Sequence, residues 1–167
     1  MIRALLLGCL LIAGCATLPP PARPPVEAIQ SFAFHGRLAV RQGETRHHLK
    51  IEWRHDPARD EILLATPLGQ GVAEIVRDAA GARLVLADRR HFAADDWSAL
   101  AEQAFGFRLP LTASSRWLLG APADPEGWRL RVVERESEAP DALPRLIELE
   151  RDDILVRLFI DAWTELQ

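Results

Sequence analysis

The sequence predicts a mainly β domain with a helical insertion, built as a curved antiparallel sheet wrapped around helices. Three observations predict it. Apolar and polar residues alternate in segments on both sides of the chain's middle, short clusters of turn residues separate those segments, and one stretch between them carries apolar residues at helical spacing. Strands, then helices, then strands argue against separate layers and for one sheet closing over an insertion.

The first element is not part of that domain. MIRALLLGCLLIAGCATLPPPARPP places one positive charge at Arg3 before an apolar run from Ala4 to Ala13, followed by Gly14 and Cys15. This is the pattern of a secretory signal, and it is too short to span a bilayer as a helix. Leu11-Ile12-Ala13-Gly14-Cys15 resembles the lipobox of bacterial lipoproteins, whose Cys is diacylated on sulfur, becomes the first residue after cleavage and is N-acylated. Cys9 is preceded by too short an apolar run for the same role. Ala16 after the Cys, in place of an inner-membrane-retaining Asp, points to the outer membrane of a Gram-negative cell. The expected organisation is a signal peptide over 1–14, a lipidated Cys15 with a Pro-rich tether over 15–31, and one domain over 32–167. Cleavage removes Cys9 and so leaves no cysteine pair, which excludes an internal disulfide or a Cys-based metal cluster. It also removes Arg3, taking the formal charge from −4 to −5. A mildly acidic chain without a basic block offers no footprint for nucleic acid. Pro19 to Pro25, PPPARPP, should be stiff and extended.

Period-two alternation begins at Phe32. In FAFHGRLAVR the residues Phe32, Phe34, Leu38 and Val40 share one face, with His35, Arg37 and Arg41 opposite; in HLKIEWR the apolar set is Leu49, Ile51 and Trp53. Gln42-Gly43-Glu44 turns between them. EILLAT, GVAEIVRD and ARLVLAD follow as strands, separated by Pro67-Leu68-Gly69 and by Ala80-Gly81. After the insertion, WRLRVVE, LIELER and ILVRLFIDAW complete the sheet, the last two joined by a turn at Glu150 to Asp153. One apolar face per strand is the mark of an antiparallel sheet with a wet side.

In DDWSALAEQAFGF the residues Trp97, Leu100, Ala101, Ala104 and Phe105 follow helical spacing, Asp95 and Asp96 suit the positive N-terminal end, and Gly106 ends the helix. A second short helix is expected from Ser114 to Leu119, capped by Thr112 or Ser114 and stopped by Gly120 and Pro122, with Trp117 and Leu118 pointing the same way as Leu111. A sheet plugged by helices can leave an apolar hollow, and an ordinary packed core explains the same pattern.

Catalytic constellations are missing. There is no G-x-S-x-G, H-E-x-x-H, G-x-x-x-x-G-K-[ST] or G-x-G-x-x-G motif, so no catalytic residue and no cofactor is assigned. His35, His47, His48, His55 and His91 are assigned to wet strand faces or loops, and the adjacent His47 and His48 point to opposite sides of a strand. No metal site follows. Asp124, Glu126 and the run Glu134 to Glu138 read as loop charges. One oddity is left: Leu68, bulky and apolar, stands between Pro67 and Gly69 where the chain turns over the surface.

F-x-x-x-G-R-L-A-V at the start of the domain, L-L-x-T-P-L-G, F-x-A-D-D-W, L-P-L followed by R-W-L-L-G-x-P, and the closing I-x-L-x-x-x-x-I-L-V-R-L-F-I-D-x-W together resemble the LolB family, from Cys15 to about Trp163. The resemblance implies an unclosed antiparallel β-barrel of about eleven strands whose helices lid a hydrophobic cavity. It implies a monomeric, lipid-anchored receptor of the outer membrane that faces the periplasm, accepts triacylated lipoprotein clients from a LolA-like periplasmic carrier, and inserts them into the membrane's inner leaflet. It further implies that the loop of Pro67, Leu68 and Gly69 protrudes so that the leucine enters outer-membrane lipid. For the acyl-chain cavity the inward set is Phe34, Leu38, Val40, Leu49, Ile51, Trp53, Trp117, Ile147, Leu149, Val156 and Leu158. Rival readings are a lipoprotein holding a different apolar ligand, an assembly lipoprotein with a filled core, and an enzyme.

Overall fold

In the computed structural model, which describes residues 23–106, 108, 114–121 and 127–167, nine strands form one antiparallel sheet. The strands are β1 (Phe32–Gln42), β2 (Thr45–Asp56), β3 (Arg59–Ala65), β4 (Gly71–Asp78), β5 (Gly81–Leu86), β6 (His91–Ala94), β7 (Arg129–Arg135), β8 (Pro144–Arg151) and β9 (Ile154–Leu166). Helix α1 (Trp97–Phe105) and helix α2 (Ser114–Leu118) lie between β6 and β7. The spatial order is β6-β5-β4-β3-β2-β1-β9-β8-β7, so the chain's first and last strands meet at the centre and the two ends of the sheet stay unpaired among the described residues. The sheet is unclosed, as expected. Nine strands are counted among the described residues, against an expectation of about eleven, and the long β1 and β9 run on through register shifts between them without dividing.

Alternation explains which side is buried. On β2 and β3 the residues Ile51, Trp53, Ile62 and Leu64 are buried while Lys50, Glu52, Arg54 and Leu63 are exposed. The inward sets of both wings join one apolar cluster, Leu84 of β5 and Ile147 of β8 included, together with Trp97 and Leu100 of α1 and Trp117 and Leu118 of α2. A flat sheet could not bring these wings together; this one curves around the helices. Helix α1 starts where expected, because Asp96 adopts an extended conformation and its side chain accepts from the Ala99 N–H at 2.8 Å. Gly106 ends it with φ 81°, donating its N–H to the Glu102 carbonyl. Leu111, Thr112, Pro122, Asp124 and Glu126 lie outside the described residues.

Gly36 has a steric reason. A Cβ there would overlap the Phe159 carbonyl oxygen, at the register shift where β1 crosses β9. The segment ahead of β1 also packs with the sheet: Ile29 is buried, and Gln30 and Ser31 donate their N–H groups to the Gln167 carbonyl at 2.7 and 2.9 Å. On the outer face Glu148 is buried between Arg131 and Arg157, the latter at 2.7 Å, and these arginines hold its carboxyl below the usual range against the opposing effect of burial. They tie β7, β8 and β9 together from outside.

Candidate membrane-contact turn and apolar interior

The turn joining β3 to β4 is built by short-range chemistry. Gly69 donates its N–H to the Thr66 carbonyl at 2.8 Å, Thr66 donates to the Gln70 carbonyl at 2.8 Å, and the Thr66 hydroxyl accepts from the Gln70 N–H at 3.2 Å. Pro67 supplies a fixed φ at the first corner, and Gly69, at φ 88°, supplies the left-handed residue that returns the chain to the sheet. Leu68 takes the second corner and is 90% exposed, more than any other large apolar residue described. Three hydrogen bonds hold the turn that carries it.

The antiparallel pairings place this turn at one pole of the sheet, together with the β1–β2, β5–β6 and β8–β9 turns. The inward set divides between full and partial burial. Phe34, Ile51, Trp53, Trp117, Ile147, Leu149, Val156 and Leu158 are buried in the common cluster, whereas Leu38, Val40 and Leu49, nearer the β1–β2 turn, are half-buried against it. The structure therefore brings the whole set together on one continuous apolar body, with a partly open rim on the Leu68 side.

The opposite pole is polar inside. Asp60 is 2% exposed and sits between three donors: Trp53 Nε1 at 3.0 Å and His55 Nδ1 at 2.7 Å on one oxygen, and Arg77 Nε at 2.6 Å on the other. Burial pushes its carboxyl up, but the hydrogen bonds from His55, Trp53 and Arg77 outweigh burial and hold it below the ordinary range. His55 stacks on Phe32 with ring centroids 4.8 Å apart. The assignment of His55 to solvent is thus corrected: it continues the inward face of Leu49, Ile51 and Trp53, and Asp60 and Arg77 continue the inward faces of β3 and β4. A hollow of about 1220 Å³ opens here, bounded by Ile29, Phe32, His55, Asp60, Arg77 and Trp97 among others. A second, of about 620 Å³, lies along Lys50, Glu52, Arg54 and Leu63 on the outer side. Neither is lined by the inward set as a whole. Cys15 lies outside the described residues.

The family model described as "Outer membrane lipoprotein LolB" matches residues 30–127, more than half of the chain. A relative named outer-membrane lipoprotein LolB, from Chromobacterium violaceum, is 34% identical over 96% of this chain and 98% of its own length. Relatives of the same name from Dechloromonas aromatica and Azoarcus sp. are 33% and 32% identical, over 97% and 94% of this chain and 96% and 91% of their own lengths. By sequence match over nearly its full length, the chain belongs to the LolB family of outer-membrane lipoproteins.

Proposed function

We propose that this protein is an outer-membrane lipoprotein receptor, anchored through acylated Cys15, that takes lipoproteins from a LolA-like periplasmic carrier and delivers them to the membrane's inner leaflet. Acyl chains enter the apolar interior between sheet and helices by way of the half-buried rim of Leu38, Val40 and Leu49, and leave by the same rim beside Leu68. The buried Asp60 cluster makes the other pole a poor route for hydrocarbon, because an acyl chain can satisfy none of its donors. The protein acts as a monomer and as a binding protein, not a catalyst.

The observation that carries the reading is Leu68, 90% exposed at the apex of a hydrogen-bonded turn. A three-chain client has roughly 45 methylenes, and at ~0.8 kcal/mol each, exposing them to water costs on the order of 36 kcal/mol. Clients must therefore pass between sheltered sites in contact, and a receptor needs a device that touches the acceptor membrane. Leu68 is that device.

The test loads the carrier with radiolabelled lipoprotein, adds the receptor and liposomes, and follows the label with wild type and with Leu68→Glu. The expected result is delivery by wild type and a variant that accepts cargo without releasing it. Label that never leaves the carrier with wild type refutes the receptor; equal delivery by both proteins refutes the role of Leu68.

A further inference from the structure

Leu68 is flanked by cations on both sides. In the sheet order, the β3–β4 turn lies between the β1–β2 hairpin, which carries Arg41, Arg46 and Lys50, and the β5–β6 turn, which carries Arg89 and Arg90. All five are exposed. Among the described residues, Arg41, Arg46, Lys50 and Arg89 have no carboxylate within ion-pair distance, and only Arg90 is paired, with Asp88 at 2.7 Å. Glu44 and Asp88 are the acidic residues of these two turns. Asp152 and Asp153 belong to the β8–β9 turn at the same pole, separated from Leu68 by the β1–β2 hairpin; the Asp153 carbonyl accepts from the Gly43 N–H and its carboxylate lies beside Gly43.

This concentration is out of keeping with a chain of net charge −4. It is also locally unfavourable, since Arg41 stands directly opposite Arg46 across the β1–β2 pair, and like charges so placed repel. Folding alone gives no reason to keep them. At the opposite pole the cations are matched: Arg59 and Arg83 pair with Asp78 at 3.4 and 2.7 Å, Arg77 pairs with Asp60, and Asp56, Asp95, Asp96 and Asp141 lie on the turns.

We propose that the cationic flanks of the Leu68 turn bind the phosphates of anionic phospholipid headgroups, orienting this pole toward the bilayer so that Leu68 enters it. The inference rests on the membrane-contact reading of Leu68 and adds a lipid-class requirement to it. A single leucine is non-directional, whereas unpaired cations on both sides of it are drawn to an anionic surface and turn the leucine toward it. Headgroup contact within a Debye length, about 8 Å at physiological salt, then sets the depth of the turn. Phospholipid is the better fit than an acidic protein because the cations straddle Leu68, the most exposed large apolar residue among those described.

The experiment places an environment-sensitive fluorophore on Leu68→Cys in the full chain as processed and purified from a Gram-negative host. It reads the buried-to-exposed ratio of the probe on phosphatidylcholine vesicles with and without phosphatidylglycerol. Anionic lipid should raise that ratio, and raising salt to about 0.5 M, where the Debye length falls to ~4 Å, should reverse most of the gain. Arg41→Gln/Arg46→Gln/Lys50→Gln, in exposed positions without partners, should keep the wild-type melting temperature or exceed it. That variant should lower the ratio on anionic vesicles on the order of a hundredfold, at roughly fivefold per cation. A ratio indifferent to phosphatidylglycerol and to salt overturns the headgroup proposal while leaving Leu68 insertion standing. A probe that stays in water on every vesicle refutes the membrane-contact reading itself. Normal probe burial combined with slower cargo transfer from the carrier would assign the cations to the carrier, and overturns the proposal as well.

Discussion

Replacing Asp60 by Asn tests whether the polar pole is held by charge or merely by shape. The carboxylate accepts from Trp53 and His55 through Oδ1 and from Arg77 through Oδ2. An asparagine amide of the same size can keep its oxygen toward Trp53 and His55, but it then turns an N–H donor against the Arg77 guanidinium. Removing one partner of a buried ion pair costs about 3–5 kcal/mol; the Arg77 side chain keeps 28% of its exposure and can recover some hydration, which brings the figure to ~2–3 kcal/mol. For a domain of this size that corresponds to a melting temperature lower by roughly 6–12 °C. The pH dependence carries the diagnostic sign. Because folding lowers the Asp60 pKa, its contribution is complete above the unfolded-state value of about 3.8 and is lost as pH falls through the lower folded value. Urea unfolding followed by tryptophan fluorescence, repeated from pH 7 downward, should therefore give a wild-type advantage that is constant at neutral pH and shrinks in acid. Other carboxylates held low, such as Asp78 and Glu148, titrate in both proteins and cancel in the difference. A variant within ~0.5 kcal/mol of wild type at pH 7, or a gap that does not narrow in acid, would refute the assignment of a stabilising charge to Asp60.

Gly36→Ala should push β1 away from the Phe159 carbonyl and destabilise the domain by about 2–3 kcal/mol, read by the same unfolding assay; a neutral effect would mean that β9 shifts freely. Gly69→Ala forces a Cβ into a left-handed residue with nothing packed nearby, so the expected cost is only ~1–2 kcal/mol, and the measurable consequence is slower cargo delivery through a distorted Leu68 turn with cargo acceptance unchanged. Cys15→Ser should remove the domain from the outer-membrane fraction without abolishing acyl-chain binding; loss of binding would show that anchor and interior are not separable.

The sheet was legible wherever one face met the core and the other met water. Leu49, Ile51 and Trp53 against Lys50, Glu52 and Arg54 defined β2 without ambiguity, and the helix α1 boundaries followed from Asp96 and Gly106. Strand β6 was not legible, because His91-Phe92-Ala93-Ala94 is too short for alternation to register and its pairing partner, β5, is known only in three dimensions. Nor does a one-dimensional pattern report the register irregularity between β1 and β9, through which Ala33 becomes buried although Phe32 and Phe34 on either side are buried too. The Asp60 cluster is the instructive miss. His55, Asp60 and Arg77 each extend an inward apolar row by one step, and extending the alternation to the strand ends would have placed all three inside. The pairing of one carboxylate with three donors is what makes burial tolerable here. The Leu68 turn was legible in its Pro and Gly, whereas the cations beside it are dispersed over the sequence from Arg41 to Arg90 and converge only through the strand order.

In the proposed function the turn and the interior work on different scales of energy. Full burial of Leu68 in hydrocarbon yields about 1.5–3 kcal/mol, an order of magnitude less than the roughly 36 kcal/mol at stake in a client's acyl chains. Insertion of the turn cannot drive delivery; the bilayer's affinity for the acyl chains does, provided the receptor holds them less tightly. The packed apolar cluster is consistent with that weaker hold. Phe34, Trp53, Trp117 and Ile147 belong to one buried cluster, with the Phe34 and Trp53 rings 6.0 Å apart, so each methylene that enters must displace contacts the side chains make among themselves. Net binding is then the difference between two apolar packings, smaller than transfer to fluid lipid that has no such contacts to lose. A receptor with a wide, empty cavity would bind its cargo more strongly and release it more slowly. On this argument, enlarging the interior by Trp117→Ala should raise acyl-probe affinity while slowing delivery to liposomes, and a variant that bound more weakly and delivered faster would reverse the reasoning.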